Sequence, residues 1–471
     1  MILAIARKEF VDAWRDGRFR LGAVLVLVLL CVSALLANQQ VKRASSERDI
    51  ATAVERENWL GQGRKNSHSA GHYGLNVFKP TSPLAAFDSG IEPFVGTTVF
   101  LEAHRQNQTA FLPAQDATAM RRFGELSSAL ALQMLVPLLI VLLAFGALAG
   151  ERERGTLRQV LSLGVSPTAL VFGKALGLTL CVVVLLAPAV GVMAYLLASS
   201  SDAPPWGRAL ALVACYGIYL GVFIAGSVAV SAFSRTSRTA LTILLALWAV
   251  NCIVAPRLAR DVVHRYVPTP KLAQFEAEMQ AAMEKGLDGH DARSDRLQEF
   301  AQRTLAEHKA TSIEALPFNF QGLVMLESER MAGEVFDHHF GELWDRIQAQ
   351  DRAVAWGGVV APMLALRSAS MSFAGTDFAH HRHFARAAEN HRREFVRLLN
   401  EDLMKNAKPG DHGYAAGKEL WEKLPVFHLE PIATAELWRG SRSDVVILGG
   451  WLLACLGVLA LSAGRLRGGD L

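Results

Sequence analysis

Leu126 to Thr168 read LSSALALQMLVPLLIVLLAFGALAGERERGTLRQVLSLGVSPT. Through Ala149 the run contains no Asp, Glu, Lys or Arg, and then four charges follow in succession at Glu151, Arg152, Glu153 and Arg154. A helix crossing a hydrocarbon core needs roughly 20 apolar residues, and a charge at its centre would cost at least about 2.5 kcal/mol. The stretch therefore reads as a membrane span, 126–149, followed by a short charged link, 150–168. Working outward, further uncharged runs lie at Leu21–Ala37, Ala175–Ser199, Ala209–Phe233, Thr239–Ala255 and Val445–Gly464. One such run fits a buried helix of a soluble core, but six do not.

The expected fold is an α-helical polytopic membrane protein with six transmembrane helices and a large, mainly helical extracytoplasmic domain. The order is an interface helix at 1–20 and spans at 21–37, 126–149, 169–199, 208–233, 239–255 and 445–464. Insertions occupy 38–125 and 256–444, the charged link 150–168, and a tail 465–471. Arg7, Lys8, Arg15, Arg18 and Arg20 precede the first span, and Arg152, Arg154, Arg158, Arg235, Arg238, Arg465 and Arg467 crowd the other short flanks on the same side. The one short loop on the other side, Ser200–Gly207, has Asp202 and Pro204-Pro205 but no base. By the positive-inside rule both termini of this multi-pass protein are cytoplasmic. The first 20 residues mix Glu9, Asp12 and Asp16 with their bases, and no small-x-small pattern follows Ala37, so 21–37 reads as an uncleaved anchor. Ile5, Phe10 and Trp14 recur at helical spacing there, as in a helix lying against lipid.

Averages alone say less: 51% hydrophobic and 20% charged residues exclude a disordered or collagen-like chain, and a net charge of +4 over 471 residues gives no footing for nucleic acid. The two insertions are large enough for a core, and lying on the same side they can fold together. Lys271–Ala310, Glu327–Gln350 and His380–Asn400 have helical periodicity, with a break at Gly286-Leu287-Asp288-Gly289. Residues 38–125, with Gly61, Gly63, Gly71 and Gly74, look more loop-rich. Ala353–Leu366 is apolar but too short for a span and reads as a buried or membrane-touching part of the outer domain, and Pro80–Phe100, broken by Pro83, Pro93, Asp88 and Glu92, reads as packed on the outer surface of the spans. All five cysteines, Cys31, Cys181, Cys215, Cys252 and Cys455, fall inside the spans, so a disulfide-free outer domain is expected.

The segment Glu151-Arg152-Glu153-Arg154-Gly155-Thr156-Leu157, followed by Pro167 and by Gly173-Lys174 at the next helix, resembles the link after the second span in permeases of the type-2 ABC exporter family. The opening ARKEF-x-D-x-W-R-D-G-R is similar to that family's N-terminal interface helix. Ser368–Phe384, SASMSFAGTDFAHHRHF, resembles a segment of a subgroup with large extracytoplasmic insertions of uncharacterised domain type. The resemblance implies that Glu151, Arg152, Glu153, Arg154, Gly155, Thr156 and Leu157 belong to a coupling helix contacting a separate ABC ATP-binding subunit. It also implies a second permease subunit, identical or similar, and ATP with Mg held on the partner ATPase. This chain has no G-x-x-x-x-G-K-[ST] loop, since Gly173-Lys174 lacks both the earlier glycine and the following hydroxyl. No cofactor and no enzymatic activity are therefore expected of the chain itself, and neither H-E-x-x-H nor G-x-S-x-G occurs.

Weaker features leave alternatives. Gly217-x-x-x-Gly221 and Gly146-x-x-x-Gly150 fit close helix packing, but glycine is common in spans. Gln133, Asn251, Tyr195, Tyr216 and Tyr219 suit either a substrate path or hydrogen bonds between helices. All 14 histidines lie in the outer regions, and His380 and His383 share a helix face, the spacing a metal site requires, but no cysteine or fixed carboxylate accompanies them. Three functions follow: an ATP-driven exporter permease; a complex that uses ATP to act mechanically on a periplasmic partner without transport; or a histidine-based metal-handling or sensing membrane protein.

Overall fold

The computed structural model describes residues 1–113, 127–199, 203–287, 293–408 and 413–466. Leu126, Asp202, the Asp288-Gly289 half of the expected helix break and Arg467 of the tail lie outside the described residues. Most of what is described is helical. The one sheet among the described residues is an antiparallel pair, β1 (Leu75–Phe78) and β2 (Thr98–Leu101), with Leu75 opposite Leu101 and Phe78 opposite Thr98.

Among the described residues six helices are long and apolar enough to cross a membrane: Phe19–Gly61, Ser128–Glu153, Pro167–Ala198, Trp206–Phe233, Ser237–Tyr266 and Arg442–Arg465. Leu21, Val24 and Leu25 on the first and Val446, Leu453 and Leu461 on the last stand exposed. Such apolar faces are a liability in water and the ordinary outer surface of a bundle in lipid. The facing sides pack Val26, Leu30, Ile140, Cys181, Tyr219 and Leu448 into one core.

The first span outruns its apolar run. Its helix continues from Gly17 to Gly61, about 67 Å at 1.5 Å per residue, against a hydrocarbon core of about 30 Å. From Gln39 to Leu60 the sequence is polar but free of Gly and Pro, so nothing stops the helix until Gly61 and Gly63, the latter at φ +77°. The loop-rich character expected of 38–125 therefore starts only after Gly61.

Prolines shape the middle of the bundle. Pro137 and Pro256 follow π-helical turns at Ala131–Leu135 and Val250–Val254. A proline ring crowds the carbonyl four residues back and cannot donate to it, which releases the carbonyls of Gln133 and Cys252. The Gln133 carbonyl accepts from the Tyr219 hydroxyl (2.9 Å) and the Cys252 thiol (3.6 Å). Asn251 Nδ2 donates to Tyr219 (3.1 Å) and Gln133 Nε2 to Tyr216 (2.8 Å). Four of the five large polar span residues thus tie helices together, whereas Tyr195 is exposed.

The insertions meet the bundle through a wedge. Pro362–Ala374 is a 13-residue helix whose Ala365, Leu366, Ala369, Phe373 and Ala374 join the core of the spans. At about 20 Å it is too short to be a seventh crossing. Ser370 sits between the Tyr216 hydroxyl (3.0 Å) and the buried Asp88 carboxylate, to which it donates. Met363 N–H donates to Asn251 Oδ1 (3.2 Å), and Trp451 Nε1 donates to the Gly358 carbonyl (2.9 Å). Beyond the wedge the two insertions share a core: Trp59, Ala70 and Ala103 pack with Phe395, Leu399 and Trp421. Trp59 Nε1 donates to the Trp421 carbonyl (2.9 Å) and Trp421 Nε1 to the Gly63 carbonyl (3.0 Å).

Candidate functional site

The link between the second and third spans is an elbow with a turn on each side. Helix Ala149–Glu153 ends at Arg154, Gly155 takes φ +76°, and helix Thr156–Ser162 runs to Gly164 at φ +85°. The left-handed backbone at Gly155 would cost a side-chain-bearing residue roughly 1–2 kcal/mol, which is why a glycine stands at this turn. Ser166 then accepts from Ala169 N–H (3.2 Å) as the cap of the third span, with Pro167 in its first turn.

Each charge of the ERER run has a different task. Arg152 reaches the end of the fourth span and donates to the carbonyls of Ala232 (3.0 Å) and Ser234, groups a helix terminus leaves unpaired. Glu153 does the converse at the start of the fifth span, accepting from Ser237 N–H (3.1 Å) and Ser237 Oγ (2.6 Å), where the helix dipole favours an anion. The elbow thereby grips both sides of the turn joining the fourth and fifth spans. Ser231 closes the backbone break above it: its hydroxyl accepts from Leu148 N–H (3.0 Å) and Ala149 N–H (3.1 Å) and donates to the Phe145 carbonyl (2.8 Å).

Glu151 points inward. It is buried and accepts from Lys174 Nζ at 2.8 Å; the same ammonium, 2% exposed, donates to Glu9 of the N-terminal helix Ile2–Arg15. Lys8 completes the cluster, 3.8 Å from Glu151, 3.5 Å from Glu9 and 3.1 Å from Asp12. Two glycines bring the helices this close. A Cβ at Gly173 would stand 2.7 Å from Ile5 Cβ, and one at Gly177 would stand 2.6 Å from Glu9 Cβ and 2.8 Å from the Ala6 carbonyl. Gly173-x-x-x-Gly177 is thus a small-residue contact of the kind helices use in lipid, with Lys174 between its glycines. The glycines singled out from the sequence sit elsewhere: Gly217 has nothing within 4 Å, Gly221 would meet Leu452 at 3.1 Å, and Gly150 would meet Ser237 Oγ at 3.2 Å.

Leu157 is buried, while Val160 and Leu161 lean on the core. The elbow's outward surface is therefore Glu153, Arg154, Gly155, Arg158, Gln159, Ser162 and Leu163, the last 83% exposed. The seven-residue motif divides: Glu151 and Leu157 anchor, Arg152 and Glu153 clasp, Thr156 bonds back to the Glu151 carbonyl (3.2 Å), and Arg154 and Gly155 face out. The sequence reading named Glu9 and Lys174 without pairing them, and passed over Gly177, Ser231 and Ser237. The spacing of Gly173 and Gly177 was the available signal; the serines carry none.

His380 and His383 are each engaged separately. His380 Nδ1 pairs with Asp377 Oδ1 (2.6 Å), whose carboxylate also caps that helix, and His383 Nε2 bonds the Glu430 carbonyl (2.7 Å). Between them His381 is buried; burial, then the Lys79 charge, pushes its pKa down to about 4.

Residues 3–282 match the family described as ABC-2 family transporter protein, and residues 273–430 match a domain of unknown function, DUF3526. No curated protein matches the chain.

Proposed function

Because this chain belongs to the ABC-2 family of transporter proteins, and so is the permease component of an ABC transporter with an ATP-binding partner, we propose that it couples ATP hydrolysis by that partner to export. In this reading Glu151–Leu161 is the coupling helix, its end of the bundle and both termini are cytoplasmic, and the DUF3526 region lies in the periplasm of a bacterial inner membrane. The working unit pairs the chain with a second permease, identical or similar, with lipid around the spans and ATP and Mg on the ATPase. A ligand shifts a conformational equilibrium only through differential binding to its states, so the ATPase must grip one elbow arrangement more tightly than another.

The observation that carries the reading is the split of the elbow into two faces. Its inward face is tied to the N-terminal helix, the third span and the fourth–fifth turn, while its outward face presents Arg154, Arg158 and exposed Leu163. A short amphipathic helix held this firmly suits docking into a groove, and any push on it reaches four helices at once. The test is co-purification of the chain with its ATPase. Arg154→Glu combined with Leu163→Asp is expected to abolish association while leaving the spans folded; retained association would sink the assignment. Glu151 is a poorer probe of docking because its carboxylate faces Lys174.

A second reading, mechanical action on a periplasmic partner, is favoured by the continuity between spans and domain. The first span's helix carries Trp59 into the domain core, and Gln133, Tyr216, Ser370 and Asp88 form a buried chain from the bundle to the first insertion. Nucleotide-dependent distance changes within the domain, in a complex whose span interface stays closed to water, would select this reading over export.

A further inference from the structure

Away from the spans, one ring nitrogen each from His68, His72 and His104 lies within 4.8 Å of the others. We propose that these three imidazoles form a binding site for a divalent late first-row metal such as zinc or copper, with one coordination position open.

Four observations carry the site. His68 and His72 are four apart on the helix Ser67–Tyr73, so they share a face. Their Nε2 atoms stand 3.2 Å apart, close to the roughly 3.3 Å that two Zn–N bonds of 2.0–2.1 Å make at a tetrahedral angle. The third histidine arrives from the far end of the hairpin, just after β2, and is held in a backbone conformation, φ +66°, that is unusual for anything but glycine. Finally, His104 has a carboxylate behind it. Glu329 Oε1 accepts from the ring Nδ1 (2.8 Å) and from the His104 backbone N–H (2.7 Å), while Glu329 Oε2 is held by Arg392 (3.0 Å). This carboxylate–histidine arrangement fixes a ring's tautomer and orientation, leaving its other nitrogen for a metal.

The donor set selects the ion. Three neutral imidazoles without thiolate or carboxylate suit zinc, copper(II) or nickel(II) and not calcium or magnesium, which take oxygen ligands. His72 is exposed and the other two are half-buried, so the site is open to ions from solution. The ion would join the Ser67–Tyr73 helix to the hairpin and, through Glu329, to the long helix Phe320–Trp356. His380 and His383 take no part.

The test uses the full chain in detergent, purified without a histidine tag, stripped with chelator and titrated with zinc alone against a competing indicator. Cobalt(II) supplies a second readout through its ligand-field bands. One equivalent of zinc is expected, with a tetrahedral cobalt spectrum. His72→Ala, at an exposed position where folding is not at stake, should weaken zinc at least tenfold and bleach the cobalt bands. Glu329→Gln should weaken binding about 10–100-fold while cobalt remains tetrahedral. His380→Ala with His383→Ala should leave both readouts unchanged. Zinc binding that His72→Ala leaves at wild-type strength, loss of binding on removal of His380 and His383, or no stoichiometric binding by the unaltered chain would each overturn the proposal.

Discussion

Replacing Lys174 by Met removes a buried cation of the third span that joins the N-terminal helix to the elbow. Its ammonium is 2% exposed and serves two carboxylates, Glu9 and Glu151, themselves only 16% and 10% exposed. Removing one partner of a buried ion pair typically costs about 3–5 kcal/mol, because the remaining charge has neither water nor a counterion. Lys8, more than half exposed and 3.8 Å from Glu151, can relieve part of this, so the lower end of the range applies first. At 1.36 kcal/mol per tenfold, about 3 kcal/mol is a factor of about 150 in local opening. Hydrogen exchange by mass spectrometry reads it directly: amides of Ile2–Arg15 should lose protection by roughly that factor in Lys174→Met, and those of the domain should not change. Adding Glu9→Gln and Glu151→Gln should restore most of the protection, since a neutral packed site replaces an ion pair at little cost. Unchanged exchange in Lys174→Met would refute the tie. Failure of the triple variant to recover would show that packing at Gly173 and Gly177, and not charge, holds the helix.

Other outcomes test neighbouring steps. Gly177→Val places atoms against Glu9 Cβ and the Ala6 carbonyl; overpacking of this kind costs about 1–3 kcal/mol, and should raise exchange of Ile2–Arg15 without affecting helix Phe378–Asn406. Gly155→Ala strains a left-handed residue by about 1–2 kcal/mol, and should speed proteolytic cleavage after Arg154 or Arg158, whereas Gly155→Asn should do so less. His381 has a folded pKa near 4, below the ordinary 6.5, so the unfolded chain binds the extra proton between those values. Its contribution is intact above about pH 6.5 and lost as pH falls to 4, a change of about 3 kcal/mol. Domain unfolding followed from pH 7 to pH 4 should show that acid loss, and His381→Gln should flatten it.

What the sequence made legible follows from what each signal is. Absence of charge is a local property, so the six spans could be read without knowing their neighbours, whereas the turn at Gly155 divides a segment that the resemblance treats as a single coupling helix. The length of the first helix was hidden because polar helix formers after Gln39 look like any solvated segment; only the lack of a breaker before Gly61 told otherwise. Lys174 was legible as a residue but not as a partner: its counterions come from Glu9 and Glu151, and nothing in the spacing states that they converge. His380 and His383 illustrate the reverse failure. They share a face, but His380 turns Nδ1 to Asp377 and His383 turns Nε2 to the Glu430 carbonyl, and among the described residues no third ligand joins them, while His68 and His72, four apart, acquire a third histidine because the chain returns His104 to them after β2.

The unbroken helix from Gly17 to Gly61 is, mechanically, a lever. It begins one residue after the N-terminal helix ends, across a bend at Asp16, so whatever rotates the N-terminal helix rotates its short end. Over about 67 Å a tilt of about 5° sweeps the far tip by about 6 Å. That tip is fastened: Arg56 donates to the Leu424 carbonyl (2.8 Å) and Trp59 to that of Trp421. A displacement too small to disturb side-chain packing among the spans would arrive at residues 421–424 amplified to more than the width of a peptide unit.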